Sequence, residues 1–281
     1  MCAELCVNTD STLGTENPER SPIGVFDSGI GGLTVVAALR KALPQERILY
    51  LGDTARVPYG GKSTETVTRY SREISDFLVS EGARMIVVAC NTASALAVPL
   101  LASSYTIPMI GVLEPGAAAA VRATRSGRIG IIGTKATIGS GAYARAIERL
   151  LPEARVTSFA CPLLVPLIEE GMLDDAVTDS ILHRYLDPML AGGIDTLVLG
   201  CTHYPLLKPA IQRICGDSVE LVDSAENCAM AVSSLQEQSV QSVSSARIDI
   251  LLTDSSEGFL KIAERALDLK IDSLSIRRLG R

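Results

Sequence analysis

Apolar positions fall along the chain in two rhythms. Ile23–Asp27, Ile48–Gly52 and Met85–Ala89 are short runs rich in β-branched residues and apolar almost throughout, the pattern of strands buried on both faces. Between them, Leu33–Leu43 and Glu65–Glu81 space their apolar residues three and four apart, which predicts helices; Gly82 follows the second as its stop. Such strands alternating with helices predict an α/β fold with mainly parallel sheets and helices on both faces. The start differs. Residues 1–21 are polar, rich in Ser, Thr, Asn and Glu, and predict a mobile arm, with order beginning at Pro22.

The same rhythm then returns. Ile23-Gly24-Val25-Phe26-Asp27-Ser28 aligns with Ile129-Gly130-Ile131-Ile132-Gly133-Thr134 at an offset of 106, and Val57-Pro58 aligns with Val165-Pro166 at 108. The segment from Gly82 to Thr92 aligns with Gly193 to His203 at an offset of 111, cysteine on cysteine. A nearly constant offset predicts two pseudo-symmetric α/β domains with the active site in the cleft between them. We assign 22–114 plus 224–281 to the first domain and 115–223 to the second. A strand at Arg247–Thr253 and a helix near Glu257–Leu267 close the first.

Composition narrows the classes of function. Of 281 residues, 47% are hydrophobic and 21% charged, the balance of a globular protein, and the length suits about two domains. A net charge of -6 argues against a nucleic-acid partner, and the absence of Trp argues against base-stacking platforms. No basic and apolar leader opens the chain. The longest apolar stretch, Ala93 to Val121, is interrupted by Pro99, Pro108, Glu114 and Pro115, so no membrane span is expected. Seven cysteines without a CxxC predict a cytoplasmic protein with reduced thiols.

In parallel sheets ligands bind at the carboxyl ends of strands, and the repeat places a cysteine there in each half. Cys90 precedes Asn91-Thr92, and Cys201 precedes Thr202-His203. A thiol at a helix N-terminus can see its pKa fall from about 8.5 toward neutrality. Cys2, Cys6, Cys161, Cys215 and Cys228 lack this doubled context and read as incidental. Asp27-Ser28-Gly29-Ile30-Gly31-Gly32, between strand and helix, fits neither GxGxxG nor a P-loop, and reads as a cradle for a small anion. Pro58-Tyr59-Gly60-Gly61 forms a second loop at the same end. Cys201 and His203 alone fall short of a zinc ligand set, so no metal is expected and His203 reads as an electrostatic partner of the thiol. His183 lies in the helical pattern Val177–Leu190 and reads as a surface or packing residue.

Together, Asp27-Ser28-Gly29-x-Gly31-Gly32, Pro58-Tyr59-Gly60, Cys90-Asn91-Thr92-Ala93 and Gly200-Cys201-Thr202-His203-Tyr204-Pro205 resemble the glutamate racemases, from about Pro22 to beyond Asp223. The resemblance implies cofactor-independent interconversion of L- and D-glutamate, supplying D-glutamate for bacterial peptidoglycan. It implies Cys90 as the base for the D-enantiomer and Cys201 for the L-enantiomer, with Asp27, His203 and Glu169 assisting; Glu169 fits better than Glu170. Asp27 is expected to hold the substrate ammonium. Ser28, Tyr59, Gly60, Asn91, Thr92, Thr134, Thr202 and His203 would complete the substrate pocket. Because some members of the resembled family with N-terminal extensions are activated by a nucleotide-linked peptidoglycan precursor, UDP-N-acetylmuramoyl-L-alanine, the resemblance and the arm before Pro22 together imply such an activator here. The assembly is expected to be a monomer or a homodimer. Alternatives are a racemase of this fold acting on aspartate or a hydantoin, a two-lobed small-ligand binding protein, and a thiol–disulfide oxidoreductase.

Overall fold

The computed structural model describes residues 21–236, 246–255 and 269–279. The expected arm over 1–21 lies almost wholly outside them, as does the helix near Glu257–Leu267. The first stretch runs β1 (Ile23–Asp27), α1 (Leu33–Ala42), β2 (Ile48–Gly52), α2 (Thr64–Ser80), β3 (Met85–Val88), α3 (Asn91–Leu96), α4 (Val98–Leu101) and β4 (Met109–Gly111). There follow α5 (Leu113–Ala123), β5 (Arg128–Gly133), α6 (Lys135–Gly139), α7 (Ala142–Leu150), β6 (Arg155–Ala160), α8 (Leu164–Glu169), α9 (Ala176–Ala191), β7 (Thr196–Gly200), α10 (Lys208–Cys215) and β8 (Glu220–Asp223). Helix α11 (Ser224–Gln236) and strands β9 (Ile248–Leu252) and β10 (Ser273–Ile276) complete the described elements.

Two all-parallel sheets result, ordered β10-β9-β2-β1-β3-β4 and β6-β5-β7-β8. The α/β class with parallel sheets predicted from the apolar runs is what forms. Strands β2-β1-β3-β4 of the larger sheet recur as β6-β5-β7-β8 in the smaller one, and the pairing register around the first strand matches residue for residue. Ile23 pairs with Ile48 and Met85, while Ile129 pairs with Val156 and Thr196. Those partners differ by 106, 108 and 111 positions, the offsets of the sequence repeat. The expected boundary at 114/115 falls inside α5, whose alanines pack on Ile129, Ile131 and Val198 of the smaller sheet.

Every residue of β1, β2, β3, β7 and β9 is buried, which explains their unbroken apolar runs. Helix α2 turns Val67, Ile74 and Leu78 inward on one face and is capped at Ser63, whose hydroxyl accepts from the Thr66 amide. Gly82, at φ +82°, then turns the chain into β3. Helices α1 and α11 cover one face of the larger sheet, and α2 and α3 the other. In each sheet the strand order reverses beside the first strand, between β1 and β3 and between β5 and β7. Those two switch points are where a parallel sheet opens a crevice at its carboxyl edge.

Candidate active site

A cavity of about 440 Å³ lies between the carboxyl edges of the two sheets, a volume suited to a small molecule. The six-stranded unit contributes Ser28, Tyr59, Gly60, Cys90, Asn91 and Thr92 to its lining. The four-stranded unit contributes Thr134, Glu169, Cys201, Thr202 and His203. Asp27 is not among the lining residues.

Cys90 leaves β3 and forms the N-cap of α3. Its thiol lies 3.7 Å from the Ser28 hydroxyl and donates to it. Burial pushes this thiol up to about 12, and the nearby Asp27 charge adds to the effect. The Ala93 backbone amide and Ser28 hydroxyl pull the other way without offsetting it. The sequence-based expectation of a depressed pKa is therefore reversed at Cys90, because a short helix's free amides are outweighed by loss of water.

Cys201 leaves β7 on the opposite wall, with its sulfur 3.8 Å from His203 Nδ1. Glu169, at the end of α8, places Oε1 3.2 Å from His203 Nε2. Burial alone lowers the His203 pKa. The hydrogen bonds with Cys201 and Glu169, joined by the charges of Cys201 and Asp27, overcome it and raise the pKa to about 10. The ring is thus an imidazolium at neutral pH, held between sulfur and carboxylate.

The glycine loop after β1 departs from the anion-cradle expectation. Asp27 Oδ2 accepts from the amides of Gly29 and Gly32 at 3.1 and 3.0 Å, so the loop's amides already hold an internal carboxylate. The other oxygen, Oδ1, lies 3.5 Å from the Thr202 hydroxyl across the cleft. Asp27 is fully buried and anchors the loop behind Cys90. Tyr50 strengthens the turn by donating to the Gly29 carbonyl at 2.7 Å. Gly31 is small for a separate reason: a Cβ there would lie 2.4 Å from His203 Nδ1 and 2.6 Å from Thr202 Oγ1.

Neutral hydrogen-bonding groups supply most of the remaining polar lining. Thr92, Thr134 and Thr137 bring their hydroxyls into a triangle with sides of 2.9, 3.1 and 2.9 Å, joining the two units. Asn91 is oriented by Tyr143, which donates to its Oδ1 at 2.7 Å, and by Ser224, which accepts from its Nδ2 at 3.3 Å. Tyr59 is fully buried, and its hydroxyl donates to Asp53. Tyr59 therefore presents its ring and backbone to the cavity. Asp53 is further held by Arg56 at 2.7 Å and by Thr253, beyond the end of β9, at 2.9 Å.

Several of these supports carry no sequence signature. Asp53, Thr137, Tyr143 and Thr253 are ordinary residues whose roles arise only from long-range contact. Cys161 also departs from expectation: it follows β6 at the same sheet edge and lines the cavity, fully buried, with burial pushing its thiol up to about 12. Its position after a strand was the available signal. Cys215 and Cys228 are core residues, packed on α9–α10 contacts and against α1. His183 is exposed and pairs with Asp187 at 3.0 Å. Among the described residues, no group of three or more His, Cys, Asp and Glu side chains could hold a metal ion. No helix among them is long and apolar enough to cross a membrane.

The profile described as Asp/Glu/Hydantoin racemase matches residues 33–232, most of the chain. The chain belongs to that racemase family. Within the Asp/Glu/Hydantoin racemases, it is 51% identical over 252 residues to the glutamate racemase of Geobacter metallireducens, covering 89% of this chain and 93% of that protein. The crystal structure of glutamate racemase from Francisella tularensis in complex with D-glutamate superposes with a TM-score of 0.85 at 35% identity, covering 93% of this chain and 99% of that one. The Escherichia coli glutamate racemase, in complex with L-glutamate and the activator UDP-MurNAc-Ala, gives a TM-score of 0.78 at 28% identity, covering 93% and 100%.

Proposed function

We propose that this racemase interconverts L- and D-glutamate by a two-base mechanism in which Cys90 and Cys201 are the acid and base. The observation that carries the reading is the pair of thiols delivered by equivalent strand ends to opposite walls of one cavity. Racemisation removes the α-proton from one face of the amino acid and returns a proton to the other, so two groups on opposite sides are what the reaction requires. In one direction a thiolate takes the proton, the Cα–H electron pair passes to the carbanion, and the facing thiol gives its proton to Cα. The reverse direction exchanges the roles. Cys90 serves the D-enantiomer and Cys201 the L-enantiomer.

The raised pKa of His203 puts a positive charge beside the Cys201 sulfur, while burial favours the protonated form of Cys90. The substrate ammonium adds a positive charge that lowers the cost of ionising Cys90. As negative charge spreads from Cα into the α-carboxylate, donors from Asn91, Thr92 and Thr202 strengthen against it. Asp27 and Glu169 act through the loop behind Cys90 and through His203.

D-glutamate made in this way would supply peptidoglycan synthesis, in the reducing cytoplasm where thiol bases persist; the five described cysteines are all free. By analogy with the Escherichia coli relative, UDP-MurNAc-Ala is a candidate activator. The test is an assay of purified protein on L-glutamate, D-glutamate and aspartate with nothing else added, followed by circular dichroism. Racemisation of glutamate at far higher kcat/KM than aspartate is expected; no optical change with either enantiomer would overturn the reading. Repeating the assay with UDP-MurNAc-Ala tests activation, and an unchanged rate would discard it.

A further inference from the structure

Glutamate carries two carboxylates and one ammonium, and so approaches the protein as an anion. The chain itself has a net charge of -6, so its long-range field opposes that approach. Among the described residues lining the cavity, His203 and Lys135 are the two basic ones. His203 is buried and already engaged by Cys201 and Glu169.

Lys135 is different. It is exposed, and among the described residues its ammonium makes no ion pair or side-chain hydrogen bond. Its backbone is nonetheless fixed, because it directly follows Thr134, the N-cap of α6, whose hydroxyl accepts from the Thr137 amide at 3.1 Å. A cation in the first turn of a helix gains nothing from the helix dipole, so local structure does not account for it. Elsewhere on the surface, the exposed Arg149 and Arg213 are held by Glu114 and Asp179.

We infer that Lys135 is a specificity-determining residue, an unneutralised cation at the cavity edge that draws in the second carboxylate of an acidic amino acid. The inference rests on the glutamate-racemase reading and extends it from the reacting carbon to the far end of the substrate. Lys135 touches no reacting atom, so its contribution belongs to capture and binding rather than to proton transfer.

The experiment compares wild type with Lys135→Met, Lys135→Glu and Lys135→Arg at low and high salt. At low ionic strength, Lys135→Met should lower kcat/KM for glutamate about 3–10-fold, through KM, with kcat kept within about 2-fold. The fall is the same in both directions, because two enantiomers have an equilibrium constant of one. Lys135→Glu should lose more, and Lys135→Arg should behave as wild type. The ratio of wild-type to Lys135→Met kcat/KM should shrink toward one as salt shortens the Debye length from about 30 Å to below about 8 Å. Because the side chain is exposed, folding is expected to survive, and circular dichroism checks it. An active wild type matched by Lys135→Met across the salt range would overturn this inference alone, as would a loss confined to kcat. A wild type inactive on both enantiomers would overturn the racemase reading and this one together.

Discussion

At the Cys90 wall the sulfur faces a hydroxyl, Ser28, with the Asp27 carboxylate behind it; at the Cys201 wall it faces an imidazolium, His203, braced by Glu169. The backbone frames are equivalent, strand for strand and register for register. What differs is the residue two places after each cysteine, Thr92 in one half and His203 in the other, together with Asp27 where the repeat has Gly133. A duplicated scaffold thus delivers two thiols to matching positions, and a few unmatched side chains give them different surroundings: a hydroxyl and a carboxylate at one, an imidazole braced by a carboxylate at the other.

The most severe way to break the comparison is to remove either sulfur. Cys90→Ala and Cys201→Ala should each cut racemisation by about a thousand-fold or more, followed by polarimetry. One-sided chemistry, such as elimination from a suitable substrate analogue, should persist for a single enantiomer in each variant, and for opposite enantiomers in the two. Full turnover in either variant would reject the two-base assignment.

Next in size is His203→Asn, which leaves both thiols but removes the cation from one wall. kcat/KM should fall about a hundred-fold, equally in both directions because the equilibrium constant is one. The asymmetry appears instead in primary isotope effects, which should rise for the α-deuterated enantiomer whose proton Cys201 takes. Equal changes for both enantiomers would mean that the imidazolium serves the cleft as a whole.

The same residue couples charge to stability. The folded protein raises the His203 pKa from 6.5 to about 10, so it binds this proton more tightly than the unfolded chain does. The stabilisation is complete below pH 6.5 and disappears as pH rises through about 10. Denaturant titrations across that window should show stability declining in wild type and declining less in His203→Asn; parallel slopes would contradict the coupling.

The smallest effect is expected from Glu169→Gln. The Glu169 side chain is 42% exposed and acts only through the imidazole, so a loss of about 3–10-fold in kcat/KM should accompany a downward shift of the His203 titration. An unmoved titration would separate Glu169 from the Cys201 wall.

Much of the fold was legible because burial on both faces writes itself into consecutive apolar residues. Ile48–Gly52 and Met85–Val88 could be read as parallel strands for that reason, and α9 from the spacing between Val177 and Leu190. The positions of Cys90 and Cys201 were legible because the repeat kept them in register. Their electrostatics were not, since desolvation depends on what packs above a thiol, and no local pattern records that. The glycine loop misled for a related reason: a cradle for an anion and a turn closed on Asp27 use the same residues, and only the hydrogen bonds distinguish them. Asp53 and Thr253 are 200 positions apart, so the support they give Tyr59 exists only once β9 has joined β2.

The path of the chain between the sheets has a mechanical consequence. Among the described residues it crosses from the larger sheet to the smaller one between β4 and α5, and comes back between β8 and α11, which packs on the larger sheet. Both walls of the cavity are therefore held across these two covalent crossings and by the hydroxyl triangle of Thr92, Thr134 and Thr137.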